Sequence, residues 1–237
     1  MTNETIEVDG HTLYRIQCIE DFYIIKKGDL GGFIEGYENL KEDAWVYSSA
    51  KVYGKAVVKG NAIVGDSATV CNKAQVLDYA YVFGNAYISG YTVISGCALV
   101  DGRVTVYGQQ YHDKIFGHKT LTICGESIIK DNALISNKGN LTINNATIYG
   151  NAVVHSDYDY ITFKNWWSSG RLFTWTRSND MWSVGCFYGT GKELIAKAYK
   201  DSQISGREYK RIVKYVEEIK KTDKQTIWQK LKNVFRW

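Results

Sequence analysis

Proline is absent from this chain of 237 residues, an absence that by itself excludes no class of function. The 5 cysteines are widely scattered and include no Cys-x-x-Cys pair. An odd, scattered set predicts reduced thiols, not a disulfide framework or a zinc site. No apolar run approaches the roughly 20 residues that a membrane span requires, and the chain starts without a secretory hydrophobic segment. We therefore expect no membrane span, while a hydrophobic content of 45% allows a sizeable core.

A six-residue repeat runs from Ala44 to Gln109, eleven times in succession. The first position of each hexad is usually Ala, the third is always Val or Ile, and the fifth is Gly, Asn, Asp or Ser. In a strand the first and third side chains point to the same face, and a β-branched residue suits that strand. The fifth residue tolerates the left-handed backbone of a tight corner. The pattern predicts a parallel β-solenoid built from three-sided coils.

The hexads resemble those of the hexapeptide-repeat proteins, which form left-handed parallel β-helices. The flanking sequences resemble a family of phage and prophage proteins without an assigned activity; the similar segments are His11–Ile16, Lys27–Glu35, Asp43–Tyr47, Gly185–Gly189 and Gly206–Tyr209. This resemblance implies the left-handed coil. It also implies a phage-encoded accessory protein acting in the host cell cytoplasm.

Three regions are predicted, and together they define a mainly β fold. Residues 1–41 form an N-terminal cap, and residues 42–158 form the β-helix, with a loop excursion at 109–120. Residues 159–237 lose the period and form an α+β module with a short antiparallel sheet and three helices. The first helix spans Lys192–Lys200. The second begins at Ser205 with Glu208 completing a capping box, and the third begins near Thr222.

One outer wall of the solenoid is more apolar than its neighbour. Hexads three apart share a side, so outward residues 18 positions apart stack on one another. A contiguous exposed apolar wall usually marks an interface, unless the cap or the C-terminal module covers it. Because hexapeptide-repeat proteins are commonly trimers, we predict a homotrimer or larger assembly through Trp45, Tyr47, Ile63, Tyr81, Phe83 and Leu99.

The C-terminal module is rich in aromatic residues interleaved with arginine, as a nucleobase and phosphate site requires. Most of these rings are also needed as the core of a small sheet. The turn before the first helix does not have P-loop spacing, but its backbone N–H groups would suit an anion. The predicted ligand-binding residues are Trp166, Trp167, Arg171, Trp175, Arg177, Phe187, Gly189, Thr190, Lys192 and Arg207.

A basic amphipathic end, with 13 Lys and Arg against 6 Asp and Glu over residues 191–237, leaves several partners open. Nucleic acid, a membrane surface or an acidic protein would suit it, and so would a solvated helix face packed on its own domain. We expect no stable binding to nucleic-acid duplexes.

Enzymatic alternatives rest on a few histidines. An acyltransferase would use a histidine general base, for which His112 and His118 are the candidates. A zinc site would add His155, but the spacing does not match that of the zinc enzymes in the hexapeptide-repeat group, so we expect no metal and no cofactor. The favoured hypothesis is a non-enzymatic protein that sequesters a host factor in counter-defence, either a nucleotide-type immune signal or a defence protein. A virion structural protein is the further alternative.

Overall fold

The computed structural model describes residues 1–109, 120–137 and 139–234, with side chains up to residue 222. It confirms the predicted fold class, a mainly β chain with a parallel solenoid and a small α+β region. In chain order, the strands of the cap and solenoid are β1 (Thr5–Val8), β2 (His11–Gln17), β3 (Leu30–Ile34), β4 (Trp45–Val46), β5 (Lys51–Val52), β6 (Val57–Val58), β7 (Ile63–Val64), β8 (Thr69–Val70), β9 (Gln75–Val76), β10 (Tyr81–Val82), β11 (Tyr87–Gly90), β12 (Thr92–Ile94), β13 (Leu99–Val100), β14 (Thr105–Gly108), β15 (Leu121–Cys124), β16 (Ile128–Ile129), β17 (Leu134–Ser136), β18 (Leu141–Asn144), β19 (Thr147–Ile148) and β20 (Val153–Val154).

Three parallel sheets form the sides of the solenoid. The first sheet has the order β4-β7-β10-β13-β16-β19, and the third has the order β6-β9-β12-β15-β18. The second contains β3-β5-β8-β11-β14-β17-β20, extended at one edge by the antiparallel hairpin β1–β2. Regular neighbours lie 18 residues apart, as in the pairing of Trp45 with Ile63. Across residues 109–120 the spacing is longer, and Thr92 pairs with Leu121.

The solenoid core follows the hexads directly. Every third-position residue from Val46 to Val106 is completely buried, and the alanines of the first position pack beside them. The corners adopt positive φ, for example Asp66 at 54° and Asp78 at 61°. Each of these carboxylates accepts a hydrogen bond from the glycine N–H of the next coil, Gly84 or Gly96, at 2.9 Å. Such bonds each stabilise the stack by about 1 kcal/mol.

Parallel pairing with the solenoid already begins within the cap. Strand β3 pairs in parallel with β5 at Phe33 and Ile34, and Leu40 bridges to Val58. Two glycines permit this closure. A Cβ at Gly31 would lie 2.5 Å from the Val46 carbonyl oxygen, and one at Gly32 would lie 2.6 Å from that of Ala50. The glycine pair therefore lets β3 pack directly on the next coil.

The C-terminal module consists of a four-stranded antiparallel sheet and two helices. The strands are β21 (Tyr160–Lys164), β22 (Leu172–Thr176), β23 (Met181–Val184) and β24 (Phe187–Gly189), and the helices are α1 (Gly191–Asp201) and α2 (Gln203–Val234). They enclose a second core whose buried members are Phe173, Trp175, Trp182, Leu194, Ala198, Tyr209, Val213 and Val216. No helix in the described part of the chain is long and apolar enough to cross a membrane.

The structure has one continuous helix where the sequence pattern predicted a second and a third. The Thr222 hydroxyl donates to the Glu218 carbonyl oxygen at 3.1 Å, a bond made within a helix, so Thr222 does not cap a new one. The start of the helix also differs, because the Ser205 N–H donates to the Ser202 hydroxyl at 3.0 Å and α2 begins at Gln203. Serine capping is thus retained, three residues earlier than predicted.

Candidate ligand-binding site

A groove of about 690 Å³ lies between the end of the solenoid and the C-terminal sheet. We call it the junction groove. The solenoid contributes residues of the first sheet and its neighbouring corner, while the module contributes the end of β21 and the loop before β22. Its lining residues are Glu126, Ile128, Asn145, Thr147, Tyr149, Lys164, Ser169, Gly170, Arg171, Leu172 and Gly185. Both its volume and its position between two packed units are typical of small-molecule sites.

A smaller cavity of about 210 Å³ adjoins the junction groove inside the module. Ser169, Arg171, Leu172 and Gly185 line both spaces. The inner cavity is also lined by Asn165, Val184, Cys186 and Tyr209. A ligand lying in the groove therefore has access to polar groups at the edge of the second core.

The loop between β21 and β22 owes its shape to Asn165. The Asn165 side-chain oxygen accepts the Ser168 N–H at 3.1 Å, and its backbone carbonyl accepts the Gly170 N–H at 2.7 Å. The Asn165 N–H in turn donates to the Arg171 carbonyl oxygen at 2.8 Å. Gly170 has a φ of 69°, which an L side chain rarely adopts, and this allows the chain to return into β22. The local sequence thus places Arg171 at the mouth of both cavities.

Charge and hydrogen-bonding groups are unevenly distributed around this site. Lys164 and Arg171 are exposed cations on its module side, facing a single acidic lining residue, Glu126. Burial raises the pKa of Tyr149, and burial also raises the pKa of Tyr209, against the effect of the hydrogen bond from Asn165. Both hydroxyls are therefore protonated at neutral pH. The combination suits an anionic ligand with an apolar or aromatic part.

Of the three predicted ligand residues in this loop, the structure places only Arg171 in the lining of the junction groove and the inner cavity. Trp166 is 72% exposed, and its ring meets that of Trp167 edge-on. Trp167 packs against Tyr209, with ring centres 4.9 Å apart, and its buried indole N–H has no partner among the described residues.

Three other predicted residues serve packing within the module. Trp175 is completely buried, and its indole N–H donates to Asp180 at 2.9 Å. Arg177 lies over the Trp175 ring, and its Nε donates to the Tyr158 carbonyl oxygen at 2.8 Å. Phe187 is half-buried against the second core. The structure places none of these three in the lining of the junction groove or the inner cavity.

The predicted anion site at the start of α1 is occupied by the protein itself. The Thr190 N–H and hydroxyl both donate to the Glu193 carboxylate at 2.8 Å, and these two bonds hold the pKa of Glu193 below its usual value. Gly189 is buried beside this cap and Lys192 is exposed after it. Arg207 is exposed on α2 and makes a hydrogen bond to the Gln203 carbonyl oxygen. The Thr190 N–H is therefore already bonded to a carboxylate of the same helix.

The alternative catalytic residues lie largely beyond what the structure describes. His112 and His118 are outside the described ranges. His155 lies on the second side of the solenoid, where its Nδ1 is 2.6 Å from the Ser136 hydroxyl. Within the described ranges no group of three or more His, Cys, Asp or Glu residues could hold a metal ion.

The six predicted interface residues stack on the first sheet. Trp45, Ile63, Tyr81 and Leu99 pair in register from coil to coil. Phe83 stacks on Tyr81, and its ring lies over Gly65, where a Cβ would meet it at 2.5 Å. Phe22 of the cap contacts Trp45, which is buried, while Tyr47 is half-buried against the core. The open part of this apolar wall is therefore Ile63, Tyr81, Phe83 and Leu99, and the next residue of the ladder, Ile128, lines the junction groove.

Several lining residues were not identified from the sequence. Lys164 and Asn165 are consecutive, at the end of β21 and the start of the following loop, whereas Tyr209 lies on α2, 44 positions after Asn165. The polar residues of the turn after β21 point to Asn165, whereas nothing in the helical pattern marks Tyr209 as a lining residue. No family model matches the sequence, and no curated protein is significantly similar to it.

Proposed function

We propose that this protein is a non-catalytic, self-assembling binding protein that sequesters an anionic small ligand of nucleotide type in the junction groove. The observation that carries the proposal is the position of Arg171, which lines both the groove and the inner cavity. A guanidinium group at that point would hold a phosphate while leaving the deeper space to the rest of the ligand.

Further support comes from the chemistry around Arg171. Lys164 adds a second cation, and Ile128 and Leu172 add apolar surface. The Tyr209 hydroxyl accepts a hydrogen bond from Asn165 but donates to no residue that the structure describes, so its proton is available to a ligand acceptor. Trp166 provides an exposed ring in the same loop, suited to stacking on a base.

Assembly through the apolar wall would place several ligand sites in one oligomer. Ile128, which lines the groove, pairs with Leu99 of the apolar wall. A second copy of the chain docked on the wall would therefore lie beside the ligand. In an infected host cell, a phage-encoded trimer or larger assembly of this kind would lower the free concentration of a signalling nucleotide in the cytoplasm. This counter-defence role extends the resemblance of the flanking sequences to phage proteins.

Native mass spectrometry of the full chain tests the proposal first. The expected result is an oligomer carrying a small mass that departs on denaturation. Calorimetric titration with mono-, di- and cyclic dinucleotides then identifies which class of nucleotide binds. Arg171→Ala is expected to weaken binding at least about tenfold, because a charge-assisted hydrogen bond is lost. Arg207→Ala is the matched control, since Arg207 lines neither cavity. Equal binding by wild type and Arg171→Ala would refute the site.

Cysteine reactivity gives an independent measure of occupancy. Cys186 is exposed and lines the inner cavity, whereas Cys97 is exposed on the solenoid outside both spaces. A bound ligand should slow alkylation of Cys186 and leave that of Cys97 unchanged in the same molecule. If saturating nucleotide changed neither rate, the ligand would not reach the inner cavity and this part of the proposal would fail.

A further inference from the structure

A second groove, of about 390 Å³, lies along one corner of the solenoid, far in the sequence from the C-terminal module. We call it the corner groove. Its lining residues are His11, Gly54, Lys55, Asn72, Lys73, Gly90, Tyr91, Tyr107 and Gly108. From the pattern of cations, unpaired N–H and aromatic rings on this corner, we propose that it binds a phosphate ester whose attached ring lies against Tyr107.

The floor of the groove is made of successive corner residues, each 18 positions from the last. Gly54, Asn72 and Gly90 all have φ values between 61° and 71°. A Cβ at Gly90 would lie 2.0 Å from the Gly108 carbonyl oxygen, so a side chain does not fit there. The small residues leave a trough along the solenoid axis, in which neighbouring coils are about 4.8 Å apart.

The backbone N–H groups along this floor differ in their partners. The Gly54 N–H donates to Glu35 at 2.6 Å, and the Gly108 N–H donates to the Thr92 hydroxyl at 2.9 Å. The Asn72 N–H, at the equivalent position between them, donates to no residue that the structure describes. At other corners the partners vary: the Gly84 and Gly96 N–H groups donate to Asp66 and Asp78, whereas those of Gly60 and Gly102, like that of Asn72, donate to no described residue. An N–H without such a partner is a donor for an anion.

The charge along the groove has one sign. Lys55 and Lys73 occupy the same position in adjacent coils, and neither forms an ion pair with a described carboxylate. Other solenoid lysines do, since Lys59 pairs with Glu42 and Lys130 with Asp101. No described lining residue is acidic, while the Glu35 carboxylate bonds to two lining groups at one end, His11 and the Gly54 N–H. Two neighbouring ammonium groups and a free N–H match the oxygens of a phosphate.

Aromatic rings stand at the end of this row of cations. The Lys73 ammonium is hydrogen-bonded to the Tyr91 hydroxyl and lies 4.5 Å from the centre of its ring. This contact orients Lys73 along the groove. Tyr107 is 44% exposed and lines the same space. A ring attached to the phosphate can therefore lie on Tyr107, and the volume suits a sugar phosphate or a mononucleotide.

Calorimetric titrations with three probes test the inference: inorganic phosphate, adenosine monophosphate and adenosine. They use the full chain carrying Arg171→Ala, so that binding at the junction groove is weakened at least about tenfold. Adenosine monophosphate is expected to bind more tightly than phosphate, and adenosine to bind weakly. Tyr107→Ala should remove the difference between the monophosphate and phosphate.

Asn72→Asp is the sharpest single change. Aspartate occupies the same hexad position with positive φ at Asp66 and Asp78, so the fold is expected to tolerate it. The new carboxylate should weaken phosphate binding at least about tenfold, as should the double change Lys55→Ala/Lys73→Ala. Asn85→Asp adds the same charge at another corner and should have little effect. Undiminished binding in Asn72→Asp and the double variant, or no binding of either phosphate probe, would overturn the inference.

Discussion

The side-chain amide of Asn165 donates a hydrogen bond to the Tyr209 hydroxyl across 3.1 Å, joining the β21–β22 loop to helix α2. Both residues are buried, although each carries a polar group. The same asparagine accepts the Ser168 N–H, so one side chain fixes the loop and part of the inner cavity. The position of Arg171 therefore depends on a contact between residues 44 positions apart.

Removing the Asn165 side chain should reduce both stability and ligand binding. Asn165→Ala leaves the buried Tyr209 hydroxyl without its donor and releases the loop, which should lower the free energy of unfolding by about 1–3 kcal/mol. Urea denaturation measures this loss.

Tyr209→Phe keeps the ring against Trp167 but removes the hydroxyl, so it should weaken nucleotide binding while costing about 1 kcal/mol of stability. Unchanged binding in Tyr209→Phe would show that this hydroxyl does not contact the ligand.

The solenoid was predictable because each hexad encodes its own local geometry. Val64 and Val82 are buried in the core, and Asp66 and Asp78 adopt the corner conformation, all as their positions in the repeat require. The stacking of Ile63 on Tyr81 followed from the same period of three hexads. The helix boundary at Thr222 was not predictable, because a threonine at that position is compatible with both a cap and a helix interior.

The candidate site was only partly predictable, since composition does not separate surface aromatics from core aromatics. Trp166 and Trp175 are equally plausible stacking residues in the sequence, yet one is exposed and the other completely buried. The capping box of Thr190 and Glu193 was overlooked, although its spacing is visible in the sequence. Lys55 and Lys73 also stand 18 residues apart in the sequence. The prediction from the repeat considered only the residues of the apolar wall.

Trp166 should report nucleotide binding through its fluorescence. Its ring is exposed in the loop that carries Arg171, whereas Trp45, Trp175 and Trp182 are buried. A stacked base should quench the exposed indole, so Trp166→Phe should lose most of the quenching and weaken binding about tenfold. Titration of intrinsic fluorescence checks both effects. Full quenching in Trp166→Phe would mean that the ligand lies against another tryptophan.

A charge on the apolar wall should dissociate the proposed assembly. Tyr81 is exposed at the centre of the wall between Ile63 and Leu99, so Tyr81→Glu would place an unpaired carboxylate in the interface. Light scattering after gel filtration should show a change from oligomer to monomer. Tyr79→Glu is the matched control, because Tyr79 is also exposed but follows the corner residue Asp78. An unaltered mass for Tyr81→Glu would move the interface elsewhere.

Acid should weaken the attachment of the cap to the solenoid. The hydrogen bond from His11 holds the pKa of Glu35 below its usual value, partial burial opposes this effect, and the Gly54 N–H adds to it. Because the folded-state pKa is lowered, this stabilisation is present above about pH 4.5, the ordinary glutamate pKa, and is lost as the pH falls through the folded value. Glu35→Gln should cost about 1 kcal/mol at neutral pH and little in acid. Thermal unfolding from neutral to acidic pH measures the difference, and Glu38→Gln, at an exposed position in the same cap, should not reproduce it.

The close approach of the coils at Gly90 should make this position intolerant of any side chain. Gly90 has a φ of 71°, and a Cβ there would lie 2.0 Å from the Gly108 carbonyl oxygen. Gly10, in the β1–β2 turn, has a similar φ of 80° but nothing within 4 Å of its Cβ position. Gly10→Ala therefore measures the backbone strain alone, about 1 kcal/mol, whereas Gly90→Ala adds the clash and should cost about 3 kcal/mol. Thermal denaturation compares the two variants, and equal losses would mean that the backbone of adjacent coils separates easily at this corner.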